Sequence, residues 1–296
     1  MIRYGFQSPA KKVTVARLIA RRSRTFIVTA LVVTGLASGA LAQAESQSAE
    51  SKAIDPTVAQ WSFQGAYQWM PDYYDDVLDN GQTRPAGSDN YLQLRIMAPI
   101  AREKFNILPR LTIRHYENAA GESGFGNTEL FALVIPKAWD WGIGRGGLGP
   151  LVTAPGDEAV ARDEWGYGFA AAIVHAPKPW FLSLLFTQSW RAVNPTALPT
   201  GTSDTNPLGI APGVVYQAGG GWYVGNGDMV ALYDWDSGKF YLPIGVRLGK
   251  VIVNENKTTW NFYAEYQTSL IYDSYPGPAV KNSIRVNVSY AMPVKL

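Results

Sequence analysis

The stretch GGGWYVGNGDMVALYDWDSGKFYLPIGVRLGK, residues 219–250, predicts two long β-strands joined by a short acidic connection. Residues of two kinds alternate in both halves, which is typical of strands whose two faces meet different surroundings. In the second half the apolar set is Phe240, Leu242, Ile244, Val246 and Leu248. The opposite phase carries Asp234 and Arg247, charged side chains that two packed layers of a soluble core would not readily bury. A sheet with lipid on one side and water on the other accommodates both faces.

The first 42 residues predict a cleavable secretory signal peptide. Seven basic residues and no acidic residue lie in this segment, whose apolar run over residues 26–41 leads into small-residue cleavage sites. A membrane anchor fits less well, because the run is short for a spanning helix and contains Gly, Ser and Thr. Arg21 and Arg22 resemble a twin-arginine signal, but no cofactor motif follows, so we expect the general secretory route.

Removal of the signal peptide reverses the sign of the net charge. The chain carries 26 basic and 24 acidic residues; losing seven basic residues leaves 19 against 24, a net charge of −5. A clustered basic surface is therefore not expected, and neither is a nucleic-acid partner. Because the chain has no cysteine, disulfides, thiol catalysis and thiolate metal sites are excluded. We predict a polar periplasmic linker over residues 43–59 and one large β domain over residues 60–296.

About twelve strands of about ten residues follow one another in this domain. The clearest alternation lies in residues 60–70, where aromatic side chains oppose amides and hydroxyls. The other strands are predicted near residues 92–98, 105–114, 127–136, 141–153, 165–175, 180–191, 208–218, 222–234, 240–253, 259–271 and 282–294. Their length suits a tilted strand that crosses a bilayer, and short connections alternate with mostly longer ones. Such alternation is typical of outer-membrane barrels, which have short periplasmic turns and longer extracellular loops.

The ten tryptophans agree with this interpretation, because each falls at the end of a predicted strand. Aromatic residues are enriched where a barrel meets the two membrane interfaces. The predicted membrane-interface belt comprises Trp61, Trp69, Trp139, Trp141, Trp165, Trp180, Trp190, Trp222, Trp235 and Trp260.

Three segments, residues 125–155, 164–190 and 206–251, carry a family resemblance. Their most specific parts are Gly147-Leu148-Gly149-Pro150, Gly221-Trp222-Tyr223, Asp234-Trp235 and Leu242-Pro243-Ile244-Gly245 followed by Gly249-Lys250. The chain resembles the outer-membrane β-barrels associated with meta-pathway phenol degradation, whose members are often labelled transporter or neuromedin U. The resemblance covers nearly all of the mature chain. It implies a Gram-negative outer-membrane protein associated with the catabolism or uptake of small, often aromatic molecules, and it supplies neither an agreed substrate nor catalytic residues.

Two motifs point to other functions. The match to G-x-G-x-x-G at residues 142–147 is followed by more predicted strand rather than a helix, so close strand packing explains these glycines better than binding of a dinucleotide does.

His115, His175 and Ser123 suggest an outer-membrane lipid-modifying enzyme of the phospholipase type, but no recognisable signature surrounds them and both histidines share the lipid-facing phase. The acid pairs Asp163/Glu164 and Asp75/Asp76 are expected to be solvated or weak cation sites.

The predicted lumen-facing residues divide into two walls. The polar set is Gln64, Gln68, Gln93, Arg95, Arg110, Arg114, Arg247, Glu265, Gln267, Arg285 and Asn287. It comes from the first three and last three strands, which become neighbours when the barrel closes. The opposite wall is small or apolar: Gly166, Gly168, Ala170, Ala172, Val174, Phe181 and Leu185. Either this lumen selects amphipathic solutes such as phenols or aromatic acids, or the charges are a structural ladder that fills a narrow barrel.

We therefore predict an all-β protein, a closed antiparallel transmembrane β-barrel of about twelve strands in the bacterial outer membrane. Its predicted role is the passive passage of small molecules, without cofactor, metal or covalent chemistry. The alternatives are a lipid-modifying enzyme and a plugged structural or sensory barrel. Expected partners are outer-membrane lipid and lipopolysaccharide, the barrel assembly machinery and small-molecule solutes; the oligomeric state stays open.

Overall fold

The computed structural model describes residues 47–74, 86–161, 163–191, 206–272 and 280–294, so the predicted signal peptide lies outside the described residues. The strands are β1 (Gln60–Tyr73), β2 (Asp89–Met97), β3 (Ile100–Ala101), β4 (Phe105–Glu117), β5 (Ser123–Phe125), β6 (Thr128–Pro136), β7 (Gly144–Ala154), β8 (Gly166–His175), β9 (Trp180–Arg191), β10 (Pro207–Gly219), β11 (Trp222–Gly225), β12 (Ala231–Asp234), β13 (Phe240–Val253), β14 (Thr259–Ile271) and β15 (Val280–Pro293). A helix, α1 (Ala49–Ile54), precedes them, and the 3-10 turn Lys137–Trp139 follows β6. No helix in these ranges is long and apolar enough to span a membrane.

The sheet closes on itself. Neighbouring strands pair antiparallel around the ring, and β15, the last strand, pairs with β1, the first. Strands β11 and β12 occupy successive parts of one position between β10 and β13, while β3 and β5 are short additions beside β4. In the described part of the chain the wall therefore has twelve strand positions, and the predicted closed antiparallel barrel is confirmed.

The two faces of each wall strand differ as the alternation predicts, and β14 illustrates this. Thr259, Asn261, Tyr263 and Glu265 are buried in the barrel interior, and the residues between them are exposed on the outside. The exposed positions on the barrel are largely aromatic or branched apolar side chains. A water-soluble protein would not expose so large an apolar band, whereas lipid covers it in a membrane barrel.

The connections at the two ends of the barrel differ in length. One end carries short turns, such as the one between β10 and β11, and we call it the turn end. In that turn Gly219, Gly220 and Gly221 have φ of 95°, 57° and 81°, values that residues with a Cβ rarely adopt. The opposite loop end carries mostly longer connections, so the predicted alternation of short and mostly longer connections is confirmed.

Two sequence predictions need correction. The strand predicted over residues 222–234 is interrupted, because residues 226–230 leave the wall between β11 and β12. The predicted linker over residues 43–59 is structured from residue 47 onward. It contains α1, whose Ala53 and Ile54 pack against buried residues of the barrel interior. We call residues 47–59 the plug.

Candidate functional site in the barrel lumen

All eleven predicted polar residues lie on the inner face of the wall. They come from β1, β2, β4, β13, β14 and β15, six neighbouring strands joined through the β1–β15 pair. Arg285, Glu265, Gln93 and Asn287 are buried, with 2%, 3%, 4% and 6% of their surfaces exposed. These eleven side chains therefore share the inner surface of the barrel, while their role in selectivity stays a prediction.

Hydrogen bonds connect the amides of this polar wall to its arginines. Gln64 Nε2 donates to Asn287 Oδ1 at 2.6 Å, and Arg95 Nη1 donates to Gln64 Oε1 at 3.1 Å. Arg285 Nη1 donates to the Gln68 Oε1 at 3.1 Å and to a tyrosine hydroxyl at 2.9 Å. These bonds orient the guanidinium groups, since a bond to an ionised donor is stronger than one between neutral groups.

Inward aromatic rings hold other arginines of the wall. The guanidinium carbon of Arg110 lies 4.1 Å from the centre of the Phe131 ring, and that of Arg247 lies 4.9 Å from Tyr263. Arg247 also lies over Tyr223, at 5.6 Å. A cation over an aromatic face is favourable, most of all where water is partly excluded. Such contacts leave the hydrogen-bonding edge of a guanidinium group available to other partners.

Asp228 is the site residue that sequence reasoning missed. It lies on the interrupted segment, residues 226–230, and its Oδ2 lies 3.4 Å from Arg95 Nη1 and 3.5 Å from Arg285 Nη2. Its backbone amide donates to Glu265 Oε2 at 2.8 Å. Asn226-Gly227-Asp228 was a usable signal, because Asn, Gly and Asp together mark turns and seldom lie inside strands.

Apolar residues fill the opposite side of the lumen. The predicted Ala170, Ala172, Val174 and Phe181 are buried there, and Leu185 packs against them. The inner faces of β4, β6 and β7 extend this apolar surface as far as the polar wall, where Phe131 lies under Arg110; the added residues, each exposed by 2% or less, are Leu108, Phe131, Leu133, Ile135 and Leu151. The apolar wall is thus larger than the seven residues that the alternation predicts.

A cavity of about 170 Å³ separates the two walls. Arg95, Arg110, Arg247 and Asp228 line one side, and Phe181, Leu185 and Ala211 line the other. A second cavity, of about 260 Å³, lies at the turn end beside Trp222 and Gln217. Ile54 lines both cavities, so α1 forms the partition between them.

A buried ion pair fixes the plug to the wall. Arg145 Nη1 lies 2.9 Å from Asp55 Oδ2, and the Asp55 side chain is fully buried. Gln47 Nε2 donates to the same carboxylate at 2.8 Å, and the Thr57 amide donates to its other oxygen at 2.7 Å. Arg145 also contacts Asp140 at 3.3 Å, on the wall. The attachment of the plug to the wall therefore depends on one carboxylate, that of Asp55, which has several donors.

The ten tryptophans lie on the outer surface of the protein. Each is exposed by between 39% (Trp69) and 59% (Trp165). Trp69 lies four residues before the end of β1, and the other nine lie at or just beyond the ends of strands, where a membrane-interface belt would require them. Their contact with lipid headgroups stays a prediction.

The residues considered for catalysis do not assemble into a catalytic site. His115 packs edge-on against Phe125, with ring centres 5.2 Å apart, and Trp141 Nε1 donates to His175 Nδ1 at 3.1 Å. Within the described residues neither histidine has a hydrogen bond to a serine hydroxyl. Ser123 lies in β5, paired with Glu117.

Most of the glycine motif lies in a strand, and one residue of an acid pair is buried. Neither arrangement is the one that binding of a dinucleotide or a cation needs. Gly144 and Gly147 of the motif lie in β7; a Cβ on Gly144 would overlap the Val174 carbonyl oxygen, and one on Gly147 would lie 2.9 Å from the Val134 carbonyl oxygen, so close strand packing accounts for this part of the motif. Glu164 is buried, which corrects the expectation of a solvated pair, whereas Asp163 is exposed. Asp75 and Asp76 lie outside the described residues. No group of three or more acidic or histidine side chains in the described ranges has the arrangement of a metal site.

Similar folds occur among solved outer-membrane barrels. An outer membrane channel from Pseudomonas putida F1 is 16% identical to this chain, with a TM-score of 0.56 over 80% of this chain and 98% of the channel. The KdgM porin, in complex with oligogalacturonate, is 12% identical, with a TM-score of 0.46 over 79% of this chain and 99% of the porin. The outer membrane phospholipase of Salmonella typhi is 12% identical, with a TM-score of 0.40 over 83% and 97%. At these identities the likeness concerns the fold, and of these three only the first exceeds a TM-score of 0.5. No protein-family model matches the sequence, and no curated protein matches it.

Proposed function

We propose that this protein is an outer-membrane channel through which small amphipathic molecules, aromatic ones among them, diffuse. The observation that carries the proposal is the cavity between an arginine and amide wall and an apolar wall. In this cavity the apolar body of an amphipathic solute would contact the apolar wall, and its polar end would contact the arginines and amides. A structural charge ladder alone would not require an apolar wall across a cavity from it.

The cellular setting belongs to the same proposal. An apolar outer face and strand-end tryptophans support insertion in the outer membrane, after export through the signal peptide and folding by the barrel assembly machinery. The link with phenol degradation rests on the family resemblance alone. In this proposal solutes reach the turn end only when α1 moves, because Ile54 separates the two cavities.

Liposomes that contain the purified full chain test the channel. We expect faster entry of phenol and benzoate than of a sugar, because passage of a solute between unlike walls depends on its polarity. If liposomes that contain the inserted barrel take up phenol and benzoate no faster than empty liposomes, the channel proposal is contradicted and a plugged structural barrel is favoured. Gel mobility that changes on boiling verifies that each preparation is a folded barrel.

Charge substitution tests the polar wall. We expect simultaneous replacement of Arg110, Arg114 and Arg285 by glutamine to reduce the permeability ratio of chloride to potassium, since positive groups near a passage favour anions. Arg102→Gln, an exposed residue at the turn end, is the control for loss of charge outside the lumen. Equal reversal potentials in the triple variant and this control would contradict a selective role.

The enzyme alternative makes a separate prediction. A phospholipase needs a nucleophile beside a base, and neither histidine is placed for that role. We expect no hydrolysis of phosphatidylethanolamine in detergent by the purified chain. Hydrolysis that disappears in His115→Ala or Ser123→Ala would establish the enzyme.

A further inference from the structure

We propose that the arginine cluster of Arg95, Arg110, Arg247 and Arg285 is a binding site for an organic carboxylate, and that Asp228 is an internal carboxylate which the solute displaces. This inference rests on the proposed channel function, because a solute must reach the lumen. It adds to that function a site, a class of ligand and a competing group from the chain itself.

The arginines have unused hydrogen-bonding capacity. Among the described residues, the Nε atoms of all four are buried without a hydrogen-bond partner, and so is Nη2 of Arg285. Arg285 is only 2% exposed, so water does not readily satisfy these donors. Buried guanidinium groups normally find acceptors, because an unsatisfied charged donor is costly. A carboxylate fits this need, since its two oxygens accept from planar guanidinium groups in pairs.

Asp228 lies where such a carboxylate would bind, but it satisfies the arginine donors only in part. Its distances of 3.4 Å and 3.5 Å to Arg95 and Arg285 exceed the roughly 2.7–2.9 Å of a charge-assisted hydrogen bond. Its side chain is 32% exposed, whereas the side chain of Arg285 is 3% exposed. Both contacts use the same oxygen of Asp228. This carboxylate therefore offsets part of the positive charge of the cluster without satisfying its donors.

The segment that carries Asp228 is held outside the wall ladder. Its first residue, Asn226, donates from its side-chain amide to the Pro212 carbonyl at 2.5 Å and accepts from the Val214 amide at 2.6 Å. Beyond Asn226, the Asp228 amide bond to Glu265 ties the segment to the polar wall. The backbone of the segment is thus fixed to β10 and β14, so displacement by another anion requires only the Asp228 side chain to move. Asp228 differs in its place outside the wall ladder from the two wall carboxylates beside the cluster, Glu129, which lies 3.6 Å from Arg110, and Glu265, the cross-strand neighbour of Arg247.

The cavity beside the cluster limits the size of the ligand. It measures about 170 Å³, and Phe181, Leu185 and Ala211 form its apolar side. An apolar protein cavity of roughly 150 Å³ admits benzene in another protein. We therefore infer a carboxylate whose apolar body is about one ring in size, with benzoate as the probe.

Calorimetric titration of the full chain in detergent tests the site, with benzoate and with benzyl alcohol as a neutral solute of similar size. We expect Asp228→Asn to bind benzoate at least about tenfold more tightly than the unaltered chain, because a charge that opposes the ligand is removed. The joint replacement of Arg95 and Arg285 by glutamine should abolish benzoate binding. Asp163→Asn, an exposed position at the loop end, is the matched control and should leave the affinity unchanged.

The unaltered chain provides a test that needs no variant. It should bind benzoate at least about tenfold more tightly than benzyl alcohol, because only the carboxylate satisfies the arginines. The proposal is overturned if the unaltered chain binds benzoate and benzyl alcohol with equal affinity. It is also overturned if Asp228→Asn binds benzoate no more tightly than Asp163→Asn does. Liposome entry, measured on the same preparations, separates the two proposals. Solute entry without Asp228-dependent binding overturns the site alone, and Asp228-dependent binding without entry overturns the channel alone.

Discussion

Replacement of Asp55 by asparagine is expected to release the plug from the lumen wall. Asp55 is fully buried, lies 2.9 Å from Arg145 and also accepts from Gln47 and Thr57. Removal of one partner from a buried ion pair costs about 3–5 kcal/mol, because the other charge stays buried and uncompensated. Arg145 keeps Asp140 as a partner, so we expect the lower end, about 3 kcal/mol. This corresponds to a population of the released plug roughly a hundred times larger.

Asp140→Asn is the matched control, since both carboxylates contact the same arginine. The Asp140 side chain is 42% exposed and lies 3.3 Å from Arg145 Nε. Exposed ion pairs contribute about 0–1 kcal/mol, so this change should increase release less than about fivefold. The comparison thus isolates the effect of burial from the loss of one negative charge.

Hydrogen exchange of the plug measures the difference directly. The Lys52 amide donates to the Ser48 carbonyl at 2.9 Å, and it exchanges when α1 opens. In Asp55→Asn this amide should exchange about a hundred times faster than in the unaltered chain, while the amides of β14 keep their rates. Equal exchange of Lys52 in the Asp55 and Asp140 variants would refute the reasoning.

Two further predictions concern the path through the barrel and the fold of its wall. Deletion of residues 47–58 removes the partition at Ile54 and should raise ion conductance in planar bilayers at least about twofold; unchanged conductance would mean that the plug does not limit flow. Gly149→Ala places a Cβ 1.8 Å from a backbone carbonyl oxygen, so we expect destabilisation of about 3 kcal/mol or failure to fold, seen as loss of the heat-dependent gel mobility shift. Gly146→Ala in the same strand meets nothing closer than 3.6 Å and should fold normally; similar behaviour of the two variants would contradict the packing argument.

The wall was predictable from the sequence because its pattern is local. In β13 and β14 the side chains alternate between the inner and the outer face, and the predicted bounds of both strands equal the observed ones. The same phase placed Arg247 and Glu265 on the inner face, where they are cross-strand neighbours. Alternation reports the two sides of a strand directly, so no tertiary information was needed.

The interruption between β11 and β12 escaped prediction because the alternation continues across it. Tyr223 and Ala231 are both buried, eight residues apart, so the strands before and after the segment keep the same phase. A period of two therefore does not distinguish a continuous strand from one that leaves the wall and returns in phase. The position of Asp228 depends on partners in β2 and β15, which are far away in the chain.

The plug could not be predicted for a different reason. Helix α1 has six residues, too few for a helix that is stable in isolation. Its stability comes from Ala53 and Ile54 against the lumen and from Asp55 against Arg145, 90 residues later. Before these contacts are known, the polar composition of the segment indicates only a linker.

The contacts of α1 also constrain the order in which the barrel assembles. The helix precedes β1 in the chain but contacts β13 and β14, which are among the last strands to be synthesised. Its docking surface does not exist until those strands have joined the sheet, and β15 then closes the ring on β1. Docking of the plug is therefore a late step of assembly, and it indicates that the wall is complete. In a time course of assembly, protease protection of residues 47–59 should not precede the heat-dependent mobility shift of the closed barrel.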